Sequence, residues 1–274
     1  MTIEIAPVTP TIGAEIRGVD LSKPLGSDAV ERIREALHAH LVLFFRDQHL
    51  SEADHIAFAR HFGEIQPPPL KTRYHANPEL HVLDQISPRG DGADNWHADH
   101  TYTKRPALGS ILRAVKVPRF GGDTAFANMY AAYDALSTPM KTMLEGLRAE
   151  HSITLSATRG IRAGHVKESL AEIQKRLPPV VHPVIRTHPV TKKKLVFVNS
   201  NSTTRILDLP DAESEAILHF LYEHVKSPEF QVRLRWDESS LAFLDNRCTQ
   251  HYAVPDYDER RVLHRVTIAG DEPF

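Results

Sequence analysis

The stretch Asn95-Trp96-His97-Ala98-Asp99 sets an imidazole and a carboxylate two residues apart. On an extended strand, residues i and i+2 project to the same face. His97 and Asp99 would then point together, about 7 Å apart at the backbone. That is a two-point clamp for a divalent metal, short of a third ligand. His251, far downstream, can supply one from a neighbouring strand. Two histidines and one carboxylate on one face of a metal leave its opposite positions open, the facial arrangement suited to non-haem Fe(II) and oxygen chemistry. A lone His-x-Asp in a chain with 17 histidines and 35 acidic residues also reads as an ordinary solvated strand end. What separates the two readings is the segment Asp245-Asn246-Arg247-Cys248-Thr249-Gln250-His251, followed by Arg261 and Arg265.

Arg261, Leu263 and Arg265 are spaced by two on the closing strand, so their side chains share a face. Two inward guanidiniums are expensive to bury unpaired. Arginine captures planar anions such as carboxylate bidentately and also suits sulfonate. The alternative is salt bridging to nearby carboxylates such as Asp256, Asp258 or Glu259. Cys248, the only cysteine, carries no cue for catalysis and reads as a buried structural thiol.

Positioning these residues requires strands. Leu41-Val42-Leu43-Phe44-Phe45 and Leu241 to Leu244 are continuous apolar runs, the pattern of strands buried on both faces. Val232, Leu234 and Trp236 alternate with Arg233 and Arg235, a half-buried strand. Strands are also expected at 79–84, 110–117, 123–127 and 262–269, with a hairpin joining 180–187 to 195–198. His251 is expected at a strand end. Helices are expected at 28–40 after a Ser27 cap, and from a Ser51-x-x-Asp54 capping box to Phe62, with Gly63 ending the second. Further helical pieces fall at 129–136, 139–144 and 210–225. Residues 152–179 form a long interval with little early periodicity and a mixed amphipathic piece from Lys167, which predicts a lid or insertion. The sum is a mainly β single domain over 1–274 with added helices, a double-stranded β-helix of the jelly-roll type.

Composition narrows the partners. The formal charge of −2 and pI near 6.8 offer no polyanion-binding surface, so no nucleic acid is expected. No apolar run approaches the ~20 residues of a membrane span, and no signal peptide is visible at the start. One cysteine excludes an intrachain disulfide and a thiolate zinc cluster. A cytoplasmic enzyme is expected.

Trp96-His97-Ala98-Asp99, Gly121-Gly122-Asp123-Thr124, Asp245-Asn246 through His251, Arg260-Arg261 and His264-Arg265 together resemble the taurine and chlorophenoxyacetate dioxygenase family, in the family's order. Phe45-Arg46-Asp47-Gln48, Phe62-Gly63-Glu64 and His182-Pro183-Val184-Ile185-Arg186-Thr187-His188-Pro189 extend the resemblance over nearly the whole chain. It implies a jelly-roll oxygenase using Fe(II), 2-oxoglutarate and O2, with His97, Asp99 and His251 on the metal. By the same resemblance Arg261 and Thr124 meet the distal carboxylate of 2-oxoglutarate, and Arg265 meets an anionic group of the substrate. A homo-oligomer is implied as well. The chain departs from the taurine-specific pattern in two places. Pro67-Pro68-Pro69-Leu70-Lys71 replaces a loop carrying histidine and tyrosine, and Ser200-Asn201-Ser202 stands where an aromatic follows Val198-Asn199. Tyr102, Lys71, Arg73 and Asn201 are therefore candidate pocket residues. Met129-Tyr130 and His100-Thr101-Tyr102 lean towards the aryloxyalkanoate-cleaving branch. The expected substrate is a small organic anion: an aryloxyalkanoate, alkyl sulfate or sulfonate. The competing readings are a non-catalytic jelly-roll that binds an organic anion and a zinc-dependent hydrolase.

Overall fold

The run at 41–45 becomes β3 (Val42–Phe45), and every residue of it is buried. A computed structural model describes residues 2–70, 77–86, 94–164 and 166–274. β3 lies inside a seven-stranded sheet with β1 (Glu4–Pro7), β2 (Ala14–Arg17), β4 (His81–Ile86), β5 (Gly109–Lys116), β13 (Leu241–Asp245) and β15 (Arg260–Ile268). The order is β1-β2-β3-β13-β5-β15-β4. A smaller sheet, β12-β6-β14, is built from β12 (Gln231–Leu234), β6 (Thr124–Asn128) and β14 (Thr249–Ala253).

The side-chain period of two explains why the central strands are apolar throughout. Val42, Phe44, Leu112, Ala242 and Leu244 point to one face of the large sheet and pack with Phe126, Val232 and Leu234 of the small one. The alternate residues Leu43, Phe45, Ile111, Leu241 and Phe243 point to the other face. They pack against α1 (Ser27–His40) and α2 (Glu52–Arg60) through Ile33, Leu37, Ile56 and Phe58. Phe243 is fully buried, with its ring centroid 4.7 Å from that of Phe62 and 6.2 Å from that of Phe58. Phe243→Ala should destabilise the fold by about 3–5 kcal/mol. Urea unfolding would show this as a lower midpoint at unchanged slope, and a loss of under about 1 kcal/mol would mean the site collapses onto the cavity.

The remaining strands add residues such as Ala149, Leu195, Val196 and Ile206 to the core shared by the two sheets. β7 (Arg148–His151) joins β8 (Val180–Pro183) and β11 (Thr203–Ile206) in a three-stranded sheet, and β9 (Ile185–Thr187) pairs with β10 (Lys194–Val196). The hairpin expected from 180–187 is thus two strands in two sheets. The chain changes partner at Val184, whose N–H bonds the Leu147 carbonyl and whose carbonyl accepts from Phe197. α3 (Met129–Asp134), α4 (Thr138–Leu144) and α7 (Asp211–His224) fall where periodicity puts them.

Other boundaries move for physical reasons. The Ser51/Asp54 capping box forms with both reciprocal bonds. α1 begins one residue early, capped by Gly26 without a side-chain bond. α2 stops at Arg60 rather than Phe62. Gly63 serves a different purpose from a left-handed cap: a Cβ there would lie 2.8 Å from Ile268 Cγ2, so glycine lets the chain press against β15. β4 runs two residues later than expected. Residues 152–179 hold two short helices, α5 (Thr154–Arg162) and α6 (Leu170–Arg176), joined by an apolar cluster of Ile153, Ala157, Val166, Ile173 and Tyr102. Among the described residues no helix is long and apolar enough to cross a membrane.

Candidate active site

His97 and His251 sit directly opposite one another in an isolated antiparallel bridge. Each backbone N–H donates to the other's carbonyl, at 3.1 and 2.8 Å, and the ring centroids are 4.1 Å apart. His251 lies in the middle of β14, opposite Phe126 of β6, rather than at a strand end. The expected regular strand through His97 and Asp99 is also corrected. After the bridge at His97 the chain turns, and His100 adopts φ +58°.

What then holds Asp99 is Asn246. Its Oδ1 accepts from the Asp99 N–H at 2.6 Å, and its Nδ2 donates to the carbonyls of Asp99 and Ala107 at 2.9 and 3.1 Å. Asn246→Ala would leave these groups buried and unsatisfied, a destabilisation of about 2–3 kcal/mol. Thermal unfolding should show the lower melting temperature, together with weaker metal binding; unchanged metal affinity would remove Asn246 from the support of Asp99.

The donor chemistry fits a divalent metal. The ligand atoms of His97, Asp99 and His251 all lie within 4.8 Å of one another, and all three residues are buried. His97 donates from Nδ1 to the Asn95 carbonyl at 2.7 Å, which leaves the Nε2 lone pair on the side of Asp99 Oδ1, 4.0 Å away. A second hydrogen bond that fixes the tautomer in this way is the usual support of a metal-binding imidazole. Burial lowers the pKa of His97 and pushes His251 down to about 3, so both rings are neutral and able to ligate at pH 7. The His251 Nδ1 is buried without a hydrogen-bond partner among the described residues. Burial alone would raise the Asp99 carboxyl, but Arg265 together with the surrounding His251, His100 and His97 outweighs burial and holds it below the usual carboxylate range. Ser110 Oγ donates to Asp99 Oδ2 at 2.7 Å.

The two arginines have distinct surroundings. Arg261 is 3% exposed. Its Nε donates to the Gly122 carbonyl at 2.8 Å and its Nη2 to Thr124 Oγ1 at 3.1 Å, rather than to Asp256, Asp258 or Glu259. Gly122 adopts φ +71°, and a Cβ there would press on Pro118 and the Arg261 side chain, so glycine is needed where the carbonyl turns to the guanidinium. Trp236 Nε1 also donates to Thr124 Oγ1, at 2.9 Å. With two donors on its oxygen, the threonine hydroxyl keeps its own proton to give. Arg265 Nη1 donates to Asp99 Oδ1 at 2.6 Å, and Nη2 to His81 Nδ1 at 2.9 Å. His81 is the register partner of Arg265 across β4 and β15.

A cleft of about 200 Å³ opens beside the triad, and Arg265, Tyr102 and Asn201 line it with His97 and Asp99. Lys71 and Arg73 lie outside the described residues. His81 and His100 also line the cleft, and neither is evident from sequence spacing alone. The available signal for His81 was its alternation with Leu83 on a short strand; its pairing with Arg265 is a matter of register.

A second group, His188, Asp245 and Cys248, also brings three potential ligand atoms within 4.8 Å. Its hydrogen bonds make it a structural clamp. His188 Nδ1 accepts from the N–H groups of Val190 and Thr191, so Nε2 carries the proton towards Asp245 Oδ2 at 3.2 Å. Arg247 grips the same carboxylate at 2.9 and 2.6 Å. Burial pushes the Cys248 thiol well up, in keeping with a structural thiol.

Comparison with known proteins gives a consistent set of relatives. An alpha-ketoglutarate-dependent sulfate ester dioxygenase of Pseudomonas putida is 36% identical, over 100% of this chain and 91% of its own. An alpha-ketoglutarate-dependent 2,4-dichlorophenoxyacetate dioxygenase of Cupriavidus pinatubonensis is 35% identical, over 99% of both chains. The crystal structure of AAD-2 in complex with Mn(II) and N-oxalylglycine superimposes with a TM-score of 0.85 at 32% identity, over 100% of this chain and 99% of that one. The family model described as taurine catabolism dioxygenase TauD, TfdA family matches residues 4–267, and the chain belongs to that family.

Proposed function

We propose that the protein is an Fe(II)- and 2-oxoglutarate-dependent dioxygenase that hydroxylates a carbon of a small organic anion, within one double-stranded β-helix domain. The carrying observation is that a buried His-Asp-His group with neutral imidazoles has its His251 opposite Phe126 on β6, two residues from Thr124, the hydroxyl that holds the buried Arg261. The packing of the seven-stranded sheet on the three-stranded one supports the jelly-roll reading. His97, Asp99 and His251 would hold the metal. Bound there with 2-oxoglutarate and O2, it supplies oxidising chemistry in which 2-oxoglutarate becomes succinate and carbon dioxide and one oxygen atom enters a substrate C–H bond.

The protein's own residues bind, orient and exclude water. Arg261 and the Thr124 proton would receive the distal carboxylate of 2-oxoglutarate, since a buried guanidinium that makes no ion pair among the described residues favours an incoming anion. Arg265 would meet the anionic group of the substrate, with Tyr102 and Asn201 lining the rest of the cleft. The α5–α6 segment at 152–179 would act as the lid, supported by the packing of Tyr102 beneath it. When the hydroxylated carbon carries a sulfate, sulfonate or ether oxygen, the product collapses to a carbonyl compound and a leaving group. Relatives named as a sulfate ester dioxygenase and a 2,4-dichlorophenoxyacetate dioxygenase support that substrate class.

The test is a panel of alkyl sulfates, alkanesulfonates, aryloxyalkanoates and plain carboxylates with Fe(II), ascorbate and 2-oxoglutarate under air. Succinate should appear in step with loss of one class. No succinate from metal-loaded protein would favour an anion-binding role instead. Arg265→Ala should raise the KM for substrate by at least about tenfold more than the KM for 2-oxoglutarate. Equal rises would undo the division of labour between Arg261 and Arg265.

A further inference from the structure

Asn201 is 8% exposed, lines the cleft beside the triad, and its Oδ1 is buried without a hydrogen-bond partner among the described residues. A buried amide oxygen left unpaired is unusual and unfavourable. The turn that carries it is braced by Asn199, whose Oδ1 accepts from the N–H groups of Asn201 and Ser202 at 3.2 and 3.0 Å. The same turn is tied to the metal-ligand segment. Asn199 Nδ2 donates to Thr101 Oγ1 at 3.0 Å, and Ser200 Oγ to the Trp96 carbonyl at 3.2 Å. The Ser152 N–H reaches the Ser202 carbonyl at 2.8 Å, so the lid begins from this turn. The turn that carries Asn201 is therefore fixed between the triad segment and the lid.

We infer that Asn201 is a specificity-determining residue that accepts a hydrogen bond from an O–H group on the substrate's carbon skeleton. The inference rests on the dioxygenase reading and deepens it. The substrate would be an organic anion that also carries a donor, such as a hydroxyalkyl sulfate or hydroxyalkanesulfonate, rather than a plain chain. The anionic group belongs to Arg265 on β15, and the donor group to Asn201 on a different wall of the cleft. A plain chain would leave the amide oxygen buried and unpaired in the complex. A site built to pair a polar group discriminates strongly against analogues that lack it. The expected preference is about 10- to 100-fold in kcat/KM.

The experiment compares matched pairs: straight-chain alkyl sulfates and alkanesulfonates against their hydroxy-substituted counterparts of equal chain length. Fe(II), ascorbate and 2-oxoglutarate are supplied under air, and succinate and substrate loss are followed together. The donor-bearing members should be favoured, and N201V should bring the ratio to about one or reverse it. Should N201V fail to fold, N201A and the wild-type ratio carry the test. Coupled turnover with equal or greater preference for plain chains overturns the role of Asn201 and leaves the dioxygenase reading standing. No succinate response to any member of either series, nor to the aryloxyalkanoates and carboxylates of the wider panel, removes both, whereas a response confined to the latter overturns the role of Asn201 alone.

Discussion

His251→Ala abolishes metal-dependent turnover, because His251 is the ligand that closes the triad. His97 and Asp99 alone are two groups on a short segment, and it is the backbone bridge to β14 that brings the third donor within 4.8 Å. Losing one of three protein ligands should weaken Mn(II) binding by at least about 100-fold, since even supporting residues around metal ligands are worth 10- to 100-fold. The backbone hydrogen bonds at 97 and 251 do not depend on the imidazole, so the variant should keep its fold. Titration of Mn(II) followed by electron paramagnetic resonance reads affinity without relying on activity. A folded His251→Ala protein that binds Mn(II) as tightly as wild type would rule the residue out as a ligand.

Arg261→Met should act on the cosubstrate and leave the metal in place. Methionine preserves much of the buried volume but offers no charge and no donor. The Gly122 carbonyl and Thr124 hydroxyl lose a partner, and an incoming carboxylate loses its counter-charge. Truncating one member of a buried, hydrogen-bonded charge pair is worth about 2–5 kcal/mol. At about 1.4 kcal/mol per factor of ten, the KM for 2-oxoglutarate should rise on the order of 100-fold or more. Mn(II) affinity should change little, because Arg261 contacts none of the triad through its hydrogen bonds. A KM within about threefold of wild type would mean that the cosubstrate carboxylate lies elsewhere.

Both predictions depend on features that a linear reading captures unevenly. The buried strands at 42–45 and 241–244 were legible because an apolar run covered on both faces needs no tertiary information to recognise. The Ser51/Asp54 cap was legible because its two hydrogen bonds close within four residues. The Arg261–Thr124 pairing followed from resemblance, and the geometry brings those two side chains together at 3.1 Å. α5 was missed because its face is weakly apolar: Leu155 is 41% exposed and only Ala157 is buried. The 180–187 strand was read as one because alternation continues through Val184, while its hydrogen bonds switch sheets there.

The candidate site shows the same division. Residue types identified His97, Asp99 and His251, but the support around them is set by register and by turns. His81 meets Arg265 because β4 and β15 pair in one particular register. Asn246 reaches Asp99 across 147 residues of sequence to replace the strand hydrogen bonds that the turn at His100 interrupts. Arg265 was read as a free anion receptor, yet it already bridges Asp99 and His81. Each amino group keeps a second N–H for a ligand.

The most direct test of the account is an anaerobic titration of the metal-free protein with Fe(II) and 2-oxoglutarate, followed by visible absorption. Chelation of iron by an α-keto acid produces a charge-transfer band that neither component gives alone. The account predicts a band that saturates at one Fe(II) and one 2-oxoglutarate per chain, disappears in His251→Ala, and needs far more 2-oxoglutarate in Arg261→Met. A wild-type protein that binds Fe(II) but develops no such band would contradict it.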